Sequence, residues 1–507
     1  MNFSKFSLKR GRKDSSEEES FKKGIAGSDY LSFDLFYQLA YMSSIAAAGI
    51  PRSQIFEFAS QLPCTSAHYF EDIHTLAKQM RYDYAVASRL VGESADNDVV
   101  KSLLLRLASS LGSGEAEADF LAQEAKIQAE SFQNEYERDV ESLRKWTEGY
   151  ASLIVSAALI VMVAAVSMLI YPVAKSFTII IVGVTICVAA MGSWMIFRVA
   201  PKEVRVHNPA WYCTSYERTR RLARILLPAA AIGFIVVLVA GMGIGWALII
   251  SSALMFPVGV AGMLFDKAVK KKDADISIFL RSLGNVASAI GLTVSTALSR
   301  LDLRSTANLA ADVTRLSARL DSRLQPDICW QRFSLETGSE TVYRSVKMFN
   351  DANRLGGDPE EVGSRSSIVA TMLDFLRAKR SQVSASFGYL AIAMHIAIVG
   401  LLSFVVQVLL MFGEVLENVY TESVVEAQEM ASNMFTFSFE GIEFLQTVVL
   451  PCIIVLSLTT AFAAAAADGG NKYKFFSFLA LTLGSSGAVM VVVPIAADSI
   501  FGSMSAM

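Results

Sequence analysis

Residues 151–170 read ASLIVSAALIVMVAAVSMLI, an unbroken run without a charged side chain. A helix of about 20 apolar residues is long enough to cross the hydrocarbon core of a bilayer. Six further windows have the same apolar character, at 176–197, 225–244, 246–265, 387–412, 444–465 and 475–497. The sequence therefore predicts an all-α, polytopic membrane protein with about seven transmembrane helices.

The overall composition agrees with this prediction. Hydrophobic residues make up 53% of the 507 positions, and the mean hydropathy is +0.42, which is high for a soluble enzyme. Because 18% of the residues are charged, a large part of the chain must also lie in water. The net charge of −3 argues against nucleic-acid binding. The five cysteines are scattered without a CxxC pair, which favours reduced apolar side chains.

Lysine and arginine near the spans predict the orientation, since cytoplasmic loops carry an excess of both. The loop 198–224 holds seven such residues and the segment 266–386 holds eighteen. The loop 413–443 holds none, although it contains seven glutamates, and acidic residues contribute little to this rule. We therefore predict a cytoplasmic N-terminus, an external C-terminus and an external acidic loop.

These assignments divide the chain into five parts. A helix is also expected to continue from 115–148 into the first span, because no glycine or proline interrupts it, and another from 360–386 into the fifth. The predicted parts are a disordered cytoplasmic tail (1–28), a first cytoplasmic helical domain (29–150), four transmembrane helices in two hairpins around the basic loop (151–265), a second cytoplasmic helical domain (266–386), and three transmembrane helices with the acidic external loop (387–507).

The two predicted cytoplasmic segments resemble each other. DLFYQLAYMSSIAAAGIPRSQIF (34–56) aligns with ISIFLRSLGNVASAIGLTVSTAL (276–298), which places Gly49 opposite Gly291. Further along, LGSGEAEAD at 111–119 aligns with LGGDPEEVG at 355–363, with Gly112 and Gly356 as the expected turn glycines. A glycine after an apolar helical run is a helix C-cap signal, and an acidic start suits the next helix. The pattern predicts a duplicated helical domain.

Residues with catalytic or metal-binding potential do not cluster. The four histidines (His68, His74, His207 and His395) form no zinc-binding motif, and the chain has no phosphate-binding GxxxxGK[ST] loop or GxSxG motif. The predicted spans are almost free of ionisable groups, which argues against a transporter. We interpret His395 as a hydrogen-bonding residue between packed helices. The sequence thus predicts a protein without enzymatic activity, cofactor or metal.

Arginines outside the spans form two candidate surfaces. In RLSARLDSRL (315–324) they recur every four residues, beside leucines at the same spacing, which predicts an amphipathic helix with an arginine stripe. Two interpretations remain open: contact with anionic lipid near the membrane, or docking of an acidic protein partner. The candidate docking residues are Arg315, Arg319 and Arg323 of the stripe, and Arg218, Arg220 and Arg221 of the basic loop.

The duplicated segments carry a resemblance to a known family. QLAYMSSIAAAGIPRSQ and LGSGEAEAD, with their counterparts SLGNVASAIGLTVSTAL and LGGDPEEVG, resemble the type II secretion system F domain of membrane platform proteins. Seven spans with paired hairpins resemble the archaeal branch, especially the archaellum platform, with the platforms of archaeal adhesive pili or of Tad-type pili as alternatives. The resemblance implies a non-enzymatic platform, often a homodimer, that contacts a hexameric assembly ATPase and the filament subunits in the bilayer. The acidic loop would then be a solvated loop or a contact for those subunits.

Overall fold

The computed structural model describes residues 30–170, 175–207, 213–291, 293–422 and 439–505. Helices account for almost all of these residues. The described residues contain no β-strand, only an isolated antiparallel bridge between Val206 and Ser339. The all-α prediction is therefore confirmed. The tail 1–28 and residues 423–438 of the acidic loop lie outside the described residues.

The described residues form α-helices with the following bounds. They are α1 (Leu31–Ala46), α2 (Arg52–Ser60), α3 (Ala67–Gln79), α4 (Tyr84–Ser94), α5 (Asp98–Ser113), α6 (Glu117–Ile170), α7 (Lys175–Val199), α8 (Thr214–Val239), α9 (Ile244–Ile290), α10 (Val294–Ser299), α11 (Ala310–Asp321), α12 (Pro326–Thr337), α13 (Glu340–Arg354), α14 (Pro359–Glu422), α15 (Phe439–Asp468) and α16 (Phe475–Ser505).

Seven of these helices, α6 to α9 and α14 to α16, are long and apolar enough to cross a membrane, as predicted. The two expected continuations are also confirmed, because α6 and α14 each join a polar segment to a span without a break. The sequence analysis did not anticipate a third continuation, in which α9 extends through the fourth span as far as Ile290.

Contacts within the chain divide it into two compact units. Unit 1 contains Met1–Glu135, Lys202–Tyr212 and Lys271–Asp374, and unit 2 contains Tyr136–Pro201, Cys213–Lys270 and Phe375–Met507. Unit 1 therefore includes residues of both predicted cytoplasmic segments. The two segments share one hydrophobic core, to which Phe36 and Leu104 contribute from the first segment, and Phe279 and Phe349 from the second.

Helix positions in the two segments repeat with a constant offset. Gly49 and Gly291 are 242 residues apart, and four helix starts keep this spacing. Helices that begin at 52, 84, 98 and 117 have counterparts that begin at 294, 326, 340 and 359. Identical spacing of four helix starts, with a fifth pair (Ala67 and Ala310) one residue off, supports the duplication more strongly than the short sequence matches do.

Three of the four predicted turn glycines adopt the backbone conformation that a helix-ending turn requires. Gly49, Gly291 and Gly356 have φ angles of 68°, 62° and 95°. The prediction for Gly112 is wrong, because this residue lies inside α5. The left-handed residue is Gly114, with φ of 80°, and it is the C-cap of α5. A left-handed conformation carries little steric cost for glycine, which explains its place after the last helical residue.

Candidate functional site: buried ionic clusters and the predicted docking residues

Arg344 of α13 is a fully charged side chain inside unit 1, with a relative exposure of only 4%. Its Nε donates to Glu340 Oε1 (2.8 Å) and its Nη1 donates to Asp34 Oδ1 (2.9 Å). The guanidinium also lies 4.9 Å from the Phe33 ring and 5.0 Å from the Tyr37 ring. Every face of the cation thus meets a carboxylate or an aromatic ring, which compensates for its burial.

Local sequence explains how α13 presents this cluster. Gly338 ends the preceding helix with a positive φ, and the Ser339 side chain accepts a hydrogen bond from Val342 N (3.2 Å) as N-cap. Glu340 then falls in the first turn, where the helix dipole favours a carboxylate. Arg344 follows one turn later, so the two side chains meet on one face of the helix.

The segment between the second and third spans contributes to the same cluster. His207 stacks on Tyr343 with ring centroids 3.9 Å apart, and His207 Nδ1 lies 2.6 Å from Glu340 Oε2. Backbone hydrogen bonds fix the segment in place, from Glu340 N to Arg205 O (3.1 Å) and from His207 N to Gly338 O (3.2 Å). The cluster therefore joins three parts of unit 1 that are far apart in sequence.

The charges in this cluster are mutually stabilised. Burial alone raises the pKa of Glu340, but the His207 hydrogen bond and the Arg344 charge outweigh burial and lower that pKa to about 2. Burial likewise opposes the charged form of Arg344, yet Glu340 and Asp34 hold its pKa well above the ordinary value. Because Glu340 is ionised and can only accept, the hydrogen between it and His207 must reside on Nδ1.

The cluster is built for positioning rather than for chemistry. Its charged members are enclosed, and the adjacent Cys64 thiol has a pKa that burial and then the Asp34 charge raise, so it is not a reactive thiolate. No group of three or more metal-ligating side chains occurs among the described residues. The arrangement therefore holds α1, the inter-span segment and α13 together.

A second buried arginine, Arg380 of α14, lies in unit 2. Its guanidinium donates to the backbone oxygens of Ala467 (3.0 Å), Ala466 (3.1 Å) and Pro201 (2.6 Å). The two alanines are in the last turn of α15, and Pro201 follows the end of α7. Carbonyl groups at a helix C-terminus lack intrahelical partners and attract cations, so Arg380 satisfies the ends of two spans at once.

Further polar groups surround the end of α15. Lys474 Nζ lies 2.6 Å from Asp468 Oδ2 and 3.8 Å from Asp266 Oδ2. Asp266 Oδ1 in turn accepts a hydrogen bond from Asn471 N (3.1 Å). These contacts fix the short connection between α15 and α16 against α9.

His395 occupies the helix-packing position that the sequence analysis assigned to it. Its Nε2 lies 2.8 Å from Ser486 Oγ and 3.2 Å from Ser457 Oγ, and the two hydroxyls are 3.0 Å apart. The three residues belong to α14, α16 and α15, so one polar group joins three spans.

The predicted arginine stripe differs from the structure in two ways. First, α11 ends at Asp321, so Arg323 lies beyond the helix with φ of 56° and does not continue the stripe. Second, Arg315 and Arg319 both form ion pairs with Glu336 of α12, and Arg315 also pairs with Asp312. These intramolecular pairs use donors that a partner would need. A docking role for the three residues stays a prediction.

The predicted residues of the basic loop lie on the first turns of α8. Arg218 and Arg221 are exposed, and Arg220 is half-buried. Arg221 Nη2 donates to Glu217 Oε1 (2.7 Å) one turn earlier. Their docking role likewise stays a prediction, and the structure brings them together only as neighbours on one helix.

Sequence reasoning missed both buried arginine clusters. The spacing of Glu340 and Arg344, one helical turn apart, was a usable local signal, as was the isolated Asp34 within an apolar helix. Neither signal identifies the partner, because Asp34 and Arg344 are 310 residues apart.

Comparisons with known proteins give similarities over long stretches. The chain is 27% identical over 331 residues to flagella accessory protein J of Methanococcus voltae, a match that covers 61% of this chain and 57% of that protein. It is 22% identical over 419 residues to flagella accessory protein J of Methanocaldococcus jannaschii, covering 80% of this chain and 73% of that protein. The chain is a relative of archaeal flagella accessory J proteins. The matched region spans less than two thirds of the Methanococcus voltae protein.

This similarity confirms the archaeal resemblance that the seven predicted spans with paired hairpins indicated. No family model matches the chain, and no solved structure matches it. Seven helices of the described residues are long and apolar enough to span a membrane, in keeping with a multi-pass membrane protein similar to the flagella accessory J proteins.

Proposed function

We propose that this protein is the integral-membrane platform of an archaellum or type IV pilus-like assembly machine. In this role it couples a cytoplasmic assembly ATPase to the insertion of filament subunits. The observation that carries the proposal is the similarity to two flagella accessory J proteins along most of the chain, combined with seven candidate spans and a large helical unit outside them.

The proposed partners follow from this role. They are a hexameric ATPase, archaellins or pilins in the bilayer, and a second copy of the chain in a homodimer. The basic segments 198–224 and 266–386 support an orientation with unit 1 in the cytoplasm, the N-terminus inside and the C-terminus outside. The platform performs no hydrolysis itself, in keeping with the lack of a phosphate-binding loop in the sequence.

Turnover of the cognate ATPase tests the proposal. We expect full-length protein in proteoliposomes to change the ATP hydrolysis rate of the purified hexamer several-fold in a concentration-dependent way, because binding to one conformational state shifts the motor's equilibrium. Empty liposomes and liposomes carrying an unrelated seven-span protein serve as controls. An unaltered rate at saturating platform, or hydrolysis by the platform alone, would refute the proposed role.

A further inference from the structure

Two exposed turns in unit 1 have the same unusual backbone. Arg81, before α4, has φ of 58°, and Arg323, before α12, has φ of 56°. They are the two non-glycine residues with a positive φ in the described part of the chain. The two positions differ by 242 residues, the same offset that relates four helix starts of the repeat. Both copies of the duplicated domain therefore contain this turn.

Exposed apolar side chains follow each arginine at identical spacing. Tyr82 and Leu324 come directly after the arginines and are 46% and 54% exposed. Val86 and Ile328 lie one turn further on and are also 46% and 54% exposed. An isolated exposed apolar residue needs no explanation, but two that recur at equivalent positions of a divergent repeat do.

Packing of α4 and α12 does not account for these residues. The inward faces of both helices are occupied by other equivalent residues, with Ala87 and Val91 of α4 matching Cys329 and Phe333 of α12, and all four are buried. Val86 and Ile328 are on the outward faces of the two helices, and Tyr82 and Leu324 are exposed in the turns that precede them. A polar residue there would cost little stability, so an apolar one indicates contact with something else.

The composition of the first turn favours a protein partner, whereas the second turn has Ser322 and Leu324 at the positions of Met80 and Tyr82. Met80 is 59% exposed beside Arg81 and Tyr82, and methionine, arginine and tyrosine are enriched in protein interfaces, whereas lysine is depleted. Neither Arg81 nor Arg323 forms an ion pair with a described residue. Each therefore presents an exposed guanidinium, unpaired among the described residues, next to an apolar pair, which suits a carboxylate beside apolar side chains on the partner.

We propose that these turns are two copies of one docking surface. The first copy consists of Arg81, Tyr82 and Val86, and the second of Arg323, Leu324 and Ile328. Two equivalent surfaces on one chain fit a partner that offers the same acidic and apolar surface more than once, which is a property of an oligomer. The occupant is therefore two subunits of one cytoplasmic ring, and this step rests on the proposed function, in which the ring is the assembly ATPase.

Substitutions at the two turns test the proposal. The first-turn variant carries Tyr82→Ser and Val86→Ser, the second-turn variant carries Leu324→Ser and Ile328→Ser, and the combined variant carries all four. A charge variant carries Arg81→Asn and Arg323→Asn, since asparagine tolerates the left-handed conformation. The matched control carries Ile278→Ser and Ile368→Ser, two exposed apolar residues whose repeat equivalents, Phe36 and Lys126, do not form an exposed apolar pair with them.

Affinity of the cognate ATPase hexamer for full-length protein is measured in detergent and in nanodiscs of anionic lipid. We expect each single-turn variant to lower the affinity about tenfold, and the combined variant to lower it about a hundredfold, because two linked contacts reinforce each other. The charge variant should also weaken binding and reduce its dependence on salt. The control should bind as the wild type does.

Three outcomes separate the explanations. If the combined variant binds as tightly as the wild type while its helices keep their thermal stability, the docking surface is wrong and the proposed function stands. If the loss occurs only in nanodiscs, the turns contact lipid and the proposal is overturned. If the wild-type protein itself neither binds the hexamer nor alters its turnover, the proposed function is refuted, and the docking surface for the ATPase is refuted with it.

Discussion

Arg344→Met should lower the free energy of unfolding of unit 1 by about 3–5 kcal/mol, the usual cost of breaking a buried ion pair. The substitution leaves the carboxylates of Asp34 and Glu340 buried without their cation. Hydrogen exchange of the full-length protein in detergent, read at α1 and α13, measures the loss of protection. A change of exchange confined to residues next to position 344 would show that the cluster does not hold the segments together.

Arg354→Met is the matched control, since it removes the same side-chain type from the same helix. Arg354 is half-exposed and pairs with the partly exposed carboxylate of Asp327. Such surface pairs contribute about 0–1 kcal/mol. An equal fall in the free energy of unfolding for Arg344→Met and Arg354→Met would show that the buried ion pair contributes no more than the exposed one.

The same cluster predicts a pH dependence. Because the pKa of Glu340 is lowered from its ordinary 4.5 to about 2 in the folded chain, its contribution to stability is present above pH 4.5. That contribution is lost as the pH falls from 4.5 towards 2. In Arg344→Met the pKa of Glu340 should rise, so this variant should lose less additional stability in that pH range than the wild type does.

Removal of Arg380 should have a similarly large effect in unit 2. Arg380→Met leaves the carbonyl groups of Ala466, Ala467 and Pro201 without this donor, and each buried unsatisfied group costs about 1–3 kcal/mol. We therefore expect a clear fall in the thermal unfolding temperature in detergent. Lys379→Met, at the neighbouring position, removes a half-exposed pair with Glu137 and an exposed contact with the Phe375 ring, and should change that temperature little.

Gly469→Ala offers an independent route to the same loss. Gly469 has φ of 64°, and a Cβ atom there would overlap the Arg380 guanidinium. The substitution therefore displaces the arginine and strains the backbone while it leaves the charge in place. If Gly469→Ala and Arg380→Met are both as stable as the wild type, the end of α15 does not depend on the hydrogen bonds of Arg380.

Local patterns in the sequence were sufficient for the membrane architecture. Span positions follow from runs of apolar residues, and the continuity of α6 and α14 follows from the lack of helix-breaking residues. The missed turn at Gly114 lies two residues from the predicted Gly112, because LGSG offers two glycines and composition does not choose between them. Pro326 indicates only that α11 ends by Gln325, since a residue before proline avoids the helical conformation, and so it does not decide whether Arg323 continues the helix.

Other features depend on contacts between distant residues, which periodicity cannot reveal. Nothing near Arg344 indicates that Asp34 is its partner, and nothing near Arg315 indicates that Glu336 will bind it. Local sequence also does not indicate that both segments belong to unit 1, because a shared core depends on how the duplicated helices pack. The domain boundaries at 150 and 386 stay predictions.

Labelling in intact cells is the most direct test of the central claim, which requires unit 1 to face the cytoplasm, where an ATPase can reach it. The native Cys213 and Cys329, although predicted to be cytoplasmic, are buried and would react poorly whatever their side. Single cysteines are therefore introduced at Ser322, an exposed residue after α11, and at Ser423, in the acidic loop outside the described residues.

A membrane-impermeant maleimide should label Ser423→Cys in intact cells, and it should label Ser322→Cys only after the membrane is permeabilised. The basic residues of 198–224 and 266–386 predict this result. Labelling of Ser322→Cys in intact cells, with Ser423→Cys protected until permeabilisation, would place unit 1 outside the cell and contradict the platform role.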